Sequence, residues 1–160
     1  MTEPTTRPSV RMTEAEIWSF LTEGHTGILT TLRADGMPVA MPVWYAVVDR
    51  AVVVMTRGRK LERLRRDPRA SFLVEAGERW AELRAVHLTG RAEVLDAAAA
   101  AALGPAVDAE LDRKYAAFRT DRAAMPDATR GAYEQAERGM VRLTPDQRVL
   151  HWDNRKLGLA

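Results

Sequence analysis

Between residues 27 and 95 the chain alternates short, apolar, β-branched runs with tight-turn signals, and that spacing narrows the possible folds more than anything else in it. Gly27-Ile28-Leu29-Thr30-Thr31-Leu32-Arg33 leads into Ala34-Asp35-Gly36, Met37 to Val48 leads into Asp49-Arg50, and Ala51-Val52-Val53-Val54-Met55-Thr56 follows. Runs this close can be joined only as hairpins, because a parallel crossover needs a dozen or more residues, so an antiparallel meander is predicted. Strands resume at Arg69 to Glu75 and at Arg84 to Leu95, where Val86, Leu88, Gly90, Ala92 and Val94 alternate with polar neighbours. The segment Met140 to Trp152, bent at Thr144-Pro145-Asp146-Gln147, is expected to return as the last strand or hairpin. The fold class is therefore mainly β: about six antiparallel strands in a small barrel with added helices, not a parallel α/β fold. A Gly-x-Gly-x-x-Gly dinucleotide turn is absent as well.

Three helical stretches surround or interrupt the strands. Thr13 with Glu16 fits a capping box, and Ile17, Phe20 and Leu21 give an apolar stripe, so a helix from Thr13 to Glu23 is expected to cover one end of the core before Gly24 stops it. Leu61 and Leu64, followed by Asp67-Pro68, mark a short helix over Gly58 to Arg66. Asp96 caps an alanine-rich helical insertion that runs to about Arg138, before the last strand. With 160 residues, 46% of them hydrophobic, the chain can bury one core. We expect a flexible lead over residues 1–12 and a single domain over 13–160.

Composition removes several function classes. No apolar run approaches the roughly 20 residues of a spanning helix, and Met1 to Met12 is polar with Pro4 and Pro8, so a soluble, cytoplasmic protein with no membrane partner is expected. There is no cysteine, and His25, His87 and His151 are scattered, so no metal site is predicted. The net charge is only +2 although the isoelectric point is about 9.3. The excess of base is thus local, which suits a small anionic ligand better than a nucleic-acid track.

That local excess is Thr56-Arg57-Gly58-Arg59-Lys60, placed where a strand gives way to a helix. Cations at a helix start face the positive end of the dipole and cost up to about 1 kcal/mol each, whereas an anion on the open N–H groups reverses the sign. A phosphate site is the reading that follows, with Thr56 adding a hydroxyl and Gly58 a close backbone approach. A second candidate is Pro38 to Tyr45. Pro38 and Pro42 imply an edge or a split in the sheet, beside which Pro42, Val43 and Trp44 could line a flat ring. Trp152, near the C-terminus, is a third candidate. No Ser-His-Asp order or carboxylate pair stands out, so the catalytic residues are not identifiable and the chain reads as a binding pocket.

The ordered set Thr26-Gly27-Ile28-Leu29-Thr30-Thr31, Asp35-Gly36-Met37-Pro38, Pro42-Val43-Trp44-Tyr45, Met55-Thr56-Arg57-Gly58-Arg59-Lys60, Arg66-Asp67-Pro68-Arg69, Leu88-Thr89-Gly90-Arg91-Ala92 and Trp152-Asp153 resembles the pyridoxamine 5′-phosphate oxidase-like, FMN-binding split-barrel superfamily. Within it, Pro-Val-Trp-Tyr followed by Thr-Arg-Gly-Arg-Lys is most similar to the actinobacterial branch that uses the deazaflavin coenzyme F-420. The resemblance implies a six-stranded antiparallel split β-barrel that forms a homodimer, with cofactor sites between subunits. It implies that Thr56, Arg57 and Lys60, with Gly58 and Arg59 nearby, hold the cofactor phosphate. Pro42, Val43 and Trp44 would line its ring and Trp152 would approach it. The implied activity is hydride transfer between reduced F-420 and a small unsaturated acceptor. FMN-dependent oxidoreduction on the same fold, and a non-catalytic flavin-, deazaflavin- or haem-binding module, are the alternatives. The loop between Thr56 and Lys60 is shorter than in the true pyridoxamine phosphate oxidases and their C-terminal ending is lacking, so vitamin B6 synthesis is not expected.

Overall fold

In the computed structural model, which describes residues 9–159, eight strands make one antiparallel sheet. They are β1 (Gly27–Leu32), β2 (Pro38–Val43), β3 (Ala46–Val48), β4 (Ala51–Arg57), β5 (Arg69–Ala76), β6 (Arg84–Val94), β7 (Arg138–Pro145) and β8 (Leu150–Asp153). Their order is β2-β1-β5-β6-β7-β4-β3, with β8 added to β6. β2 and β3 sit at opposite ends of that path, yet only Trp44 and Tyr45 separate them. The three steps from Val43 to Ala46 reach about 11 Å at most. The sheet must therefore curl until its two edges face each other, which makes a barrel split between β2 and β3.

The expected mainly-β antiparallel barrel with a helical insertion is what forms, but two of the six expected strands are each broken in two. Met37 to Val48 divides at Trp44-Tyr45 because the chain crosses there from one edge of the sheet to the other. Met140 to Trp152 yields β7 and β8, which do not pair with each other. Both lie along one edge of the eleven-residue β6: β8 beside Arg84 to His87 and β7 beside Gly90 to Val94.

Inside the barrel Leu29, Tyr45, Val52, Val54, Phe72, Val86, Leu88 and Leu143 form the main core, closed at its ends by Ile17, Phe20 and Leu21 of α1 (Glu14–Glu23) and Leu61 and Leu64 of α2 (Arg59–Arg66). Val53 points the other way, into a second cluster with Ala46, Leu95, Val107 and Met140 beneath α3 (Ala97–Tyr115). β4 is thus covered on both faces, which accounts for its unbroken apolar run. The capping box on α1 forms as the sequence indicates, Thr13 with Glu16. α3 continues past Gly104-Pro105, and α4 (Asp127–Gln135) completes the insertion.

α1 has no basic residue in its last turn; α3 supplies the cations instead. Arg113 Nη2 donates to Thr22 O at 3.2 Å and Lys114 Nζ to Leu21 O at 3.4 Å, satisfying carbonyls that a helix end leaves open. The end of the lead is tied down as well. Asp153 N donates to Val10 O, Met12 N to His151 Nδ1 and Lys156 Nζ to Arg11 O. The rest of the expected lead, residues 1–8, lies outside the described residues. No helix among the described residues is long and apolar enough to cross a membrane.

Candidate functional site

The split in the barrel generates a cleft. Pro38, Ala40 and Pro42 share one parity on β2, so the ladder to β1 is carried by the N–H groups of Val39, Met41 and Val43. Among the described residues β2 pairs with no strand on its far side, and the edge left open there is rich in carbonyl acceptors. Opposite it, β4 ends at Arg57 and the chain turns into α2 through Gly58, whose φ of +57° is the left-handed region that glycine tolerates. A Cβ on Gly139 of β7 would sit 2.8 Å from Leu61, so the absence of a side chain there lets α2 pack close to the sheet.

These elements enclose a cleft of about 360 Å³ that collects six of the nine residues singled out from the sequence: Pro42, Val43, Trp44, Thr56, Arg57 and Lys60. Gly58 forms the turn, and Arg59 opens α2 without lining the cleft. Trp152 is not brought to it; it lies on β8 opposite Ala85 of β6.

The cation cluster differs in detail from what the sequence implies. Arg57 is the last residue of β4, not the first of the helix. Its Nη1 donates to Tyr133 O at 2.7 Å and Ala136 O at 3.5 Å, and its guanidinium lies 4.6 Å from the centre of the Tyr133 ring. The carbonyl end of α4 is thus a ready acceptor for a cation. Arg65 is committed to Glu137 through two bonds of 2.5 and 2.9 Å, and Arg66 donates to Leu32 O at 2.8 Å. Lys60 and the Thr56 hydroxyl line the cleft with no ion pair or side-chain hydrogen bond among the described residues.

The insertion adds residues that sequence reasoning misses: Leu111, Tyr115, Arg119 and Tyr133 also line the cleft. Tyr115, on the last turn of α3, stacks on Trp44 at 4.4 Å between ring centres with an interplanar angle of 7°. Its hydroxyl accepts from Tyr45 N at 3.0 Å and donates toward His25 O at 2.8 Å and Tyr45 O at 3.0 Å. Burial pushes the Tyr115 hydroxyl up to about 12, so it stays a neutral bridge at physiological pH. One side chain thereby fixes both the backbone at the β2–β3 crossing and the Trp44 ring. Aromatic residues in an otherwise alanine-rich, polar insertion are the signal by which the sequence could have pointed to them.

The cleft continues into a wider depression of about 990 Å³ with which it shares Trp44, Met55, Arg57, Arg119 and Tyr133. A pocket in the range of small-molecule sites, an open carbonyl edge, an aromatic pair and an uncommitted ammonium and hydroxyl together suit a planar, anionic ligand. No group of three or more His, Cys, Asp or Glu side chains that could hold a metal ion occurs among the described residues.

The fold is a split antiparallel barrel with a pocket at the split. A sequence profile described as pyridoxamine 5′-phosphate oxidase matches residues 13–147, and the chain belongs to that family. A conserved hypothetical protein from Mycobacterium tuberculosis is 34% identical, with a TM-score of 0.77, and the match covers 98% of this chain and 94% of that one. An FAD-binding protein from Mesorhizobium loti is 20% identical (TM-score 0.65; 88% and 94% covered), and a haem storage protein from Vibrio cholerae is 18% identical (TM-score 0.62; 86% and 92% covered). The last two show the shared fold. A search of curated proteins returns no match.

Proposed function

We propose that this protein binds the deazaflavin coenzyme F-420 in the cleft between β2 and the β4–α2 turn and serves as an oxidoreductase for a small unsaturated acceptor. The observation that carries this reading is the convergence of Pro42-Val43-Trp44 with Thr56 and Lys60 across the split. The donor set fits such a ligand: carbonyls on the open edge of β2 suit a ring's N–H, and Thr56 and Lys60 suit a phosphate. When bound, the deazaflavin supplies the hydride chemistry. The chain's own part is to bind and orient. Lys60 neutralises charge, the Tyr115–Trp44 stack holds the rim of the ring site, and the insertion narrows access to it.

FMN, with one phosphate, would be satisfied by the smaller cleft alone. The wider depression beyond it gives room for the phosphodiester and glutamate tail of the deazaflavin, and this favours the longer ligand. Arg65 and Arg66, bound to Glu137 and Leu32, add nothing to that preference. The proposal includes a homodimer. Met37, Met41 and Trp44, on and beside β2, are exposed apolar side chains of the kind an interface covers. A thermal-shift comparison of F-420, FMN, FAD and haem tests the reading, since a ligand at a hundred times its Kd adds about 2.7 kcal/mol to stability. F-420 is expected to give the largest shift. Tight binding without turnover across a panel of acceptors would instead identify a carrier or sensor.

A further inference from the structure

We propose that Arg57 and Arg138 together form an anion subsite in the depression beside the cleft, where they take a carboxylate or phosphate group of a small-molecule ligand. The two arginines are direct cross-strand partners on β4 and β7, and both line the depression. Directly opposed like charges destabilise a sheet pair, because the side chains of such a pair start only about 4.5–5.5 Å apart. A shared anion removes that penalty.

Arg57 is built for the task. The α4 carbonyls take only its Nη1 group, and the guanidinium carbon lies 4.6 Å from the centre of the Tyr133 ring. The Nε–Nη2 edge, the one that grips carboxylate and phosphate with two parallel bonds, has no protein acceptor among the described residues. Arg138 has neither an ion pair nor a side-chain hydrogen bond among them.

The acidic groups of the depression do not fill this role. Asp112 is paired with Arg119 at 2.6 Å, and Asp121 accepts from Ala123 N at 3.0 Å. Asp108 and Asp121 have no ion pair among the described residues and keep their charge, so the depression sets Arg57, Arg119, Arg122 and Arg138 against Asp108, Asp112 and Asp121. Four arginines against three aspartates leave a small positive excess, and Arg57 and Arg138 are the two of those arginines that stand directly opposite each other in the sheet.

Two sources carry this chemistry: the tail of the cofactor, or an acidic acceptor. The second part of the test rests on the cofactor reading; the subsite itself does not. Inorganic phosphate and succinate, titrated at constant ionic strength, are the probes, with wild type, Arg138→Gln and the remote surface variant Arg148→Gln compared by calorimetry and thermal shift. Arg138→Gln should weaken both probes about tenfold or more, the scale of a lost charge-assisted bond, and should raise the melting temperature of the ligand-free protein by removing the repulsion. Arg148→Gln should change neither. Equal affinities in wild type and Arg138→Gln, or an equal loss in Arg148→Gln, would overturn the subsite. F-420 with and without its glutamate tail then locates the source. A tail-dependent loss in Arg138→Gln assigns the subsite to the cofactor. Unchanged F-420 affinity, with phosphate binding lost in the saturated protein, assigns it to the acceptor. If no flavin or deazaflavin binds at all, the cofactor reading fails while the phosphate result still decides the subsite.

Discussion

Replacing Tyr115 by phenylalanine isolates the bond network that holds the β2–β3 crossing. The ring stays, and with it the stack on Trp44; only the hydroxyl goes. Tyr115 is 1% exposed, so the groups it abandons have little access to water. Tyr45 N loses its acceptor at 3.0 Å, and the carbonyls of His25 and Tyr45 lose a shared donor at 2.8 and 3.0 Å. An unsatisfied buried group costs about 1–3 kcal/mol. The N–H bears that cost in full and each carbonyl only part of it, since the donor was shared, so Tyr115→Phe should destabilise the fold by about 2–4 kcal/mol. For a chain of this size each kcal/mol moves the melting temperature by about 2–4 °C, which places the variant very roughly 4–16 °C below wild type. Urea unfolding of wild type, Tyr115→Phe and Tyr115→Ala measures it, and the difference between the two variants reports the buried ring as a whole, its stack on Trp44 included. The ring ligand should also bind more weakly to Tyr115→Phe, because Trp44 then sits on a looser backbone. A Tyr115→Phe protein within about 0.5 kcal/mol of wild type, the scatter of ordinary surface changes, would refute the reasoning.

Lys60→Ala should weaken cofactor binding by about 1.5–3 kcal/mol, the worth of one charge-assisted hydrogen bond, and unchanged titration of both FMN and F-420 would remove Lys60 from the site. Burial, partly offset by Glu110, draws the Lys114 ammonium from 10.5 down to about 8. Between those values the unfolded chain keeps a proton that the folded chain has lost. Stability should therefore rise with pH across that window by up to about 3 kcal/mol, and Lys114→Met should flatten the rise. Chemical denaturation at pH 7, 8, 9 and 10 checks this, and an unchanged slope in the variant would assign it elsewhere. A Cβ on Gly27 would run into the Phe72 ring, so Gly27→Ala should cost about 1–3 kcal/mol by overpacking, read from its unfolding midpoint.

Half of the candidate site is legible in the sequence because it is local. Pro42-Val43-Trp44 and Thr56 to Lys60 announce themselves by proline in a strand and by cations at a strand end, and those are short-range violations of ordinary propensity. The partners of Arg57, Arg65 and Arg66 are not legible in the same way. Tyr133, Ala136 and Glu137 lie more than seventy positions away from the arginines they engage, and Leu32 more than thirty from Arg66. Sequence alone therefore presents as one free cluster what the fold divides between structural bonds and an open cleft. Tyr115 escapes notice for the same reason: its partner ring and its three backbone partners all belong to a distant stretch of chain.

Period and turn chemistry within the sequence set the strand positions, the capped first helix and the antiparallel class, because each depends on neighbours within a few residues. Tertiary structure alone decided that two residues would carry the chain across the barrel's open edges, that β6 would host two separate strands on one side, and that the alanine-rich insertion would reach back to complete the cleft. The physical reason is closure. A curled sheet brings its first and last edges together, and which side chains meet there is fixed by register and packing over the whole chain, not by any one segment of it.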